Sequence, residues 1–190
     1  MRLRLKTNLL RYSEDDIVRL IRDAKMRSKG FSLFVYQYQE RLYWSMRRIL
    51  IVHEDTDDVL QEALLKVWSK LETFKFESSI YTWVYRICLN EALSFLRRKR
   101  RVLFLPLLNV EKEMQQYIEQ PGVFTGSEIE FKFQQALLTL PERQRLVFNL
   151  RYYDDLSFKE IAAFLKLSDG GVKSTYHIAA KKMKEILAAD

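Results

Sequence analysis

Glycine and proline are scarce in this chain, and that scarcity narrows its fold more than any motif does. Five glycines and three prolines serve all 190 residues. Sheets need tight reversals, and tight reversals draw on those two residues. The long stretches between them carry apolar residues at helical spacing instead. The chain is therefore expected to be all-α, with two small helical domains joined by a linker. A hydrophobic content of 48% is enough to fill real cores.

The first helix is expected in "SEDDIVRLIRDAKM". Ser13 can cap it, Glu14, Asp15 and Asp16 suit its positive end, and Ile17, Leu20 and Ile21 form one apolar stripe. Gly30 is expected to end it. Further helices are expected over "SLFVYQYQERLYWSMRRIL", "DTDDVLQEALLKVWSKL" and "IYTWVYRICLNEALSFLRRKRR", with "ETFKFESS" as a loop. Next, "VLFLPLLNVEKEMQQYIEQPGVFTGSEIE" holds two of the three prolines and two glycines, and reads as the linker. Helical patterning resumes in "FKFQQALLTL", and Pro141 opens another helix. Residues 1–101, 102–131 and 132–190 are thus first domain, linker and second domain.

Charge divides the same way. The first segment carries a net +8, the connector −4 and the last segment +3, for +7 in all. Two basic units on an acidic connector favour a polyanionic partner, of which nucleic acid is the commonest. One cysteine, Cys88, excludes an internal disulfide framework and sits in an apolar run, as a core thiol would. The opening "MRLRLKTNLLRY" lacks the apolar core of a secretory signal. No segment reaches the roughly 18 apolar residues of a membrane span. A cytoplasmic protein without membrane insertion is expected. The two histidines, His53 and His177, stand far apart, and no glycine-rich phosphate loop is present. No metal, cofactor or catalytic residue is expected.

Near the C-terminus, "SFKEIAAFL" pairs Ser157 with Glu160 in capping-box spacing, and Ile161, Ala162 and Leu165 make its buried face. A short "KLS" turn follows, and Ser168 can cap the next helix, with Asp169 at its positive end. Two short helices so joined suggest a helix-turn-helix, although any αα-hairpin can share the spacing. In the second of them, Val172, Tyr176, Ala179, Met183 and Ile186 make the apolar seam. The opposite face carries Lys173, Ser174, His177, Lys181 and Lys184, without an acid among them, which suits a major groove. Gly170 and Gly171 stand in its first turn, where each costs about 1 kcal/mol relative to alanine. Two readings fit them: close backbone approach to DNA, or tight packing against the preceding helix.

Two features mark the first unit. In "EDTDDVLQEALLKVW", five acids gather at a helix start, and Asp58, Gln61, Glu62 and Leu65 can share a face. Dipole capping accounts for most of them, but an acidic patch on a basic unit can also meet a basic partner. In "FKFESSIYTWVYRICLNEALSFLRRKRR", aromatic residues interleave with Lys75, Arg86 and the run from Arg97 to Arg101. Aromatics stack on unpaired bases while cations follow the backbone, so this segment suits melted DNA. Tyr85 and Phe95 are expected largely in the core, and Trp83 partly so.

These parts, in this order, resemble the sigma-70 family of RNA polymerase sigma factors, in the short two-domain layout of its extracytoplasmic-function (ECF) group. "DTDDVLQEALLKVW" resembles the core-polymerase-binding helix, "FKFESSIYTWVYRICLNEALSFLRRKRR" the promoter-melting segment, and "LTLPERQRLVFNLRYYDDLSFKEIAAFLKLSDGGVKSTYHIAAKKMKEI" the C-terminal helix-turn-helix. The resemblance implies that Asp57, Asp58, Gln61, Glu62, Leu65 and Trp68 meet the clamp helices of the polymerase's largest subunit. It implies that Lys75, Phe76, Glu77, Ser78, Ser79 and Ile80 hold a flipped base of the minus-ten element. Tyr81 and Trp83 would lie at the melting point, and Arg86, Asn90, Arg97 and Arg98 would contact DNA or support the loop. Ser168, Gly170, Gly171, Lys173, Ser174, His177 and Lys181 would serve the minus-thirty-five element. Core RNA polymerase, including its flap region, and promoter DNA are the implied partners, with an anti-sigma factor as a further candidate. The sequence departs from the family where arginines are common, since Thr175, Ile178 and Ala180 stand near those places. The alternative reading is a stand-alone helix-turn-helix regulator. A plain repressor needs neither the acidic helix nor the aromatic-basic segment.

Overall fold

The computed structural model describes residues 12–103 and 128–188, with the side chains of 100–103 and 128–131 outside that description. Residues 104–127 of the expected linker, the basic N-terminal stretch and the side chains of Arg100 and Arg101 therefore lie outside the described residues, while the two ends of that linker fall in helices. In chain order the helices are α1 (Glu14–Arg22), α2 (Arg27–Leu50), α3 (His53–Lys70), α4 (Ile80–Leu103), α5 (Glu128–Thr139), α6 (Glu142–Tyr152), α7 (Phe158–Leu165) and α8 (Asp169–Ala188). A single 3-10 turn, Leu71–Thr73, follows α3. No strand occurs among the described residues, and the all-α expectation holds.

The first unit is α1–α4. α1 starts where its sequence says it should: the Ser13 hydroxyl accepts from the Asp16 amide at 3.1 Å, and Asp16 reaches back to the Ser13 amide. The Ser13 hydroxyl donates to the Asp16 carboxylate at 2.6 Å and, with the Ser13 amide, holds that carboxyl below the ordinary carboxylate range. Gly30 does not end α1. The helix stops at Arg22, and the Asp23 side chain accepts from the Lys25 amide at 2.9 Å, closing a turn. Gly30 lies inside α2 instead, in the crossing with α1, where a Cβ would stand 2.9 Å from the Ile21 amide nitrogen and Leu20 Cβ. Glycine is there so that two helices can touch.

Ile17, Ile21, Phe34, Leu42, Met46, Ala63, Val67, Val84, Leu89 and Ala92 fill the centre of this unit. Cys88 is fully buried among them, and burial pushes its thiol up to about 12. Tyr85 is buried and Trp83 half-buried, both as expected, whereas Phe95 is half-buried rather than largely in the core.

The second unit is α5–α8. Pro141 stands one residue before α6 and sets its entry. Ser157 and Glu160 form the expected capping box at the start of α7. The turn into α8 is made by Lys166 in the left-handed region, φ 55°, with the Leu167 amide returning to the Ala162 carbonyl. Ala136, Leu137, Leu140, Phe148, Ala179 and Met183 form this unit's own core. Val147, Leu150, Leu156, Ile161, Ala162 and Val172 continue into the core of the first unit, so the two units are packed together.

Candidate polymerase and nucleic-acid interfaces

The acidic helix α3 sorts its carboxylates by position. Asp55 turns inward and pairs with Lys99 of α4. Asp57 lies one turn from His53 and reaches its Nε2 at 3.5 Å. Asp58, Gln61 and Glu62 are exposed, and Asp58 and Glu62 form no ion pair among the described residues. Leu65 and Trp68 continue the same face at 67% and 44% exposure, which is unusual for such side chains. The Trp68 ring rests on Phe31 of α2 at 5.3 Å between centroids. An acidic upper half thus runs into an apolar lower half on one helix face. Dipole capping accounts for the acids but not for the exposed apolar half.

The loop between the 3-10 turn and α4 is aromatic at its root and polar at its tip. Phe74 is buried, its ring 5.0 Å from Trp83 and 4.5 Å from Phe76. Phe76 holds a left-handed backbone, φ 59°, which costs a non-glycine residue about 1–2 kcal/mol. Lys75 and Glu77 point to solvent, Ser78 is half-buried, and Ser79 caps α4 by accepting from the Thr82 amide at 3.0 Å. Ile80 is fully buried and anchors the loop rather than presenting a surface to a base. The Tyr81 ring lies tilted against Tyr38 at 5.3 Å between centroids, with the Arg41 guanidinium 4.1 Å over its ring. Asn90, Arg97 and Arg98 are exposed along α4. Arg97 donates to Ser94 at 2.8 Å.

Arg86 is engaged within the molecule. Its Nη2 donates to Glu160 of α7 at 3.0 Å. Beside that pair lies a polar cluster between the units that the sequence reading missed. Asp154, beyond the end of α6, accepts from Ser45 of α2 at 3.0 Å and faces Arg48 Nη2 at 3.5 Å. Asn149 donates to the Arg48 carbonyl at 3.3 Å, and the Arg48 guanidinium lies 4.5 Å over the Tyr153 ring. Burial raises the Asp154 carboxyl above its usual range despite Arg48. Burial likewise holds the neighbouring Tyr85 hydroxyl well above the usual phenol range. The local hint is the "RR" of Arg47 and Arg48 inside an apolar helix, and the partners of Arg48 lie about a hundred residues away.

In the second unit, Lys173, Ser174, His177 and Lys181 form one exposed face of α8. Ser168 caps the helix, accepting from the Gly171 amide at 3.1 Å. A Cβ added at Gly170 would meet nothing within 4 Å, and one at Gly171 would meet only the Ser168 hydroxyl, at 3.0 Å. Packing against α7 therefore does not account for the pair of glycines. Thr175 turns inward to the Gly171 carbonyl at 2.7 Å, whereas Ile178 is 46% exposed.

Residues 34–102 match the description "Sigma-70 region 2", and residues 130–183 match "Sigma-70, region 4". The ECF RNA polymerase sigma-E factor of Escherichia coli K12 is 30% identical over 167 residues, 84% of this chain and 87% of that protein. The chain belongs to the ECF family of RNA polymerase sigma factors. The RNA polymerase sigma-H factor of Pseudomonas aeruginosa is 31% identical over 170 residues, again 84% of this chain and 86% of that one. The sigma factor RpoE of Bartonella quintana, solved in complex with the anti-sigma factor NepR, matches with a TM-score of 0.60 and 25% identity. The match covers 85% of this chain and 99% of that one. CnrH, solved with the cytosolic domain of CnrY, shares the fold with a TM-score of 0.56 at 24% identity, over 92% and 98% of the two chains. As a sigma factor the chain is a transcription-initiation protein and not an enzyme; it acts on core RNA polymerase and promoter DNA. Among the described residues, no helix is long and apolar enough to cross a membrane. No group of three or more His, Cys, Asp or Glu is placed there to hold a metal ion.

Proposed function

We propose that three surfaces divide the work of this sigma factor. The α3 face of Asp57, Asp58, Gln61, Glu62, Leu65 and Trp68 docks on the clamp helices of the polymerase. The loop Lys75–Ile80, with Tyr81, Trp83, Arg86, Asn90, Arg97 and Arg98, takes the melted minus-ten element. The α8 face of Lys173, Ser174, His177 and Lys181 reads the minus-thirty-five element, with the Ser168–Gly171 turn against its phosphates. Residues 1–101 and 132–190 form the two working domains, and residues 102–131 link them across the polymerase. The flap region meets the apolar groove of Phe133, Tyr152, Met183 and Leu187, where Tyr152 is 54% exposed. The chain works in the cytoplasm and is held in reserve by an anti-sigma factor, the kind of partner with which RpoE of Bartonella quintana forms a complex.

The emptiness around Gly170 is the observation that supports the α8 assignment most. Two residues without side chains in the first turn, with a cationic face behind them, let the backbone come close to a groove. The test is binding of the polymerase holoenzyme to a minus-thirty-five duplex after Lys173→Ala and His177→Ala. Loss of sequence preference is expected for base readers. A fall in affinity that is uniform across sequences would make both residues phosphate contacts only.

A further inference from the structure

α1 lies outside the segment matched as region 2, yet both of its ends touch the loop assigned above to the minus-ten element. At its start, Glu14 Oε1 accepts from the Ile80 amide at 2.6 Å. That amide opens α4, which has no acid in its own first turn, so the carboxylate at its positive end comes from α1. At its other end, the Arg22 guanidinium lies 4.1 Å over the Phe76 ring. The nine residues of α1, about 12 Å from first to last, thus brace the loop from Phe76 to Ile80.

The brace ends in a row of flat groups. Trp83, Phe74 and Phe76 follow one another at 5.0 and 4.5 Å, from half-buried to buried to exposed, and Arg22 covers the outer ring. Arg22 is itself exposed and pairs with no carboxylate among the described residues. A cation in the last turn of a helix suits its dipole, but the dipole does not choose a direction for the side chain. The contact with Phe76 does. With one face on the ring, a guanidinium keeps its other face for stacking and its N–H edge for hydrogen bonds. Those are the two contacts an unstacked base offers.

We propose that Arg22 is a promoter-specificity residue: it forms the outer wall of the minus-ten pocket and contacts the captured base. This rests on the assignment of Lys75–Ile80 as the base-capturing loop. Glu14 enters as the tie that keeps α1 in register with the loop.

The test uses holoenzyme built from the full chain and core polymerase. It selects from a library of fork-junction DNA whose single-stranded stretch is randomised. The native holoenzyme is expected to select one base at the captured position. Phe76→Ala is expected to lose that preference. Arg22→Ala is expected to lose it too, with about a tenfold fall in affinity, while preference in the duplex segment survives. Arg22→Lys is expected to regain affinity but not preference, since an ammonium cannot stack. An abasic site at the captured position is expected to erase the difference between Arg22→Ala and the native chain. If Arg22→Ala selects the same base with affinity within about twofold while Phe76→Ala does not, the proposal fails and the loop assignment stands. No preference by the native holoenzyme, or an unaltered one in Phe76→Ala, overturns the loop assignment and the proposal with it.

Discussion

Single residues carry two of the clearest consequences of this fold, and both are glycines. Gly170 sits in a helix with open space around it, so alanine should stabilise α8 by up to about 1 kcal/mol. If its backbone approaches DNA, the same Gly170→Ala chain should bind the minus-thirty-five duplex several-fold more weakly. Thermal unfolding and DNA affinity, measured together, are expected to move in opposite directions; unchanged affinity would remove the close approach. Gly30→Ala is different, because its Cβ would stand 2.9 Å from a backbone nitrogen of α1. A cost of about 1–3 kcal/mol in thermal or denaturant unfolding is expected, as for other overpacked sites. In sequence the two positions look alike. A glycine that ends a helix, one that admits a neighbouring helix and one that faces open space share the same letter. Only the crossing of α1 and α2 tells that Gly30 belongs to the second kind.

At the scale of the element, α3 shows what periodicity does convey. Its buried residues, Thr56, Val59, Leu60, Ala63 and Val67, recur at helical spacing, and the opposite face follows from them. That is why the placement of Asp58, Gln61, Glu62 and Leu65 on one surface was legible from spacing, with Trp68 added by the family resemblance. Charge reversal there, Asp58→Lys with Glu62→Lys, should change stability by about 0.5 kcal/mol or less per site, since both residues are exposed. It should weaken core-polymerase binding at least tenfold, about 1.4 kcal/mol. A folded double variant that binds with native affinity would strike this face from the polymerase interface. The end of α1 was less legible, because an Asp23 side chain closing a turn leaves no mark on apolar spacing. α1's contacts with the loop were not legible at all: Glu14 and Ile80 are 66 residues apart.

Beside the apolar core they share, the two units are joined by a polar cluster that no local pattern announces. Ser45 and Arg48 on α2 meet Asp154, and Arg86 on α4 meets Glu160, across 74 to 109 residues of chain. This packing occupies Arg86, one of the residues assigned to DNA. An Arg48→Glu chain would set a second carboxylate against Asp154, where burial already disfavours the charge. The two units are expected to separate, with a larger radius of gyration in solution scattering and each unit still helical. A radius equal to that of the native chain would mean that the apolar contacts of Leu150, Leu156 and Ile161 suffice to hold the units together.

Recruitment of core polymerase to a promoter requires all three surfaces at once, and one assay reads it. Core RNA polymerase is mixed with the purified chain and with DNA fragments from its own bacterium. Strand opening is then read by the reactivity of unpaired thymines. The expected result is opening at a small set of fragments, only when both proteins are present. The contradicting result is a chain that binds a specific duplex alone but neither binds the core enzyme nor opens DNA with it.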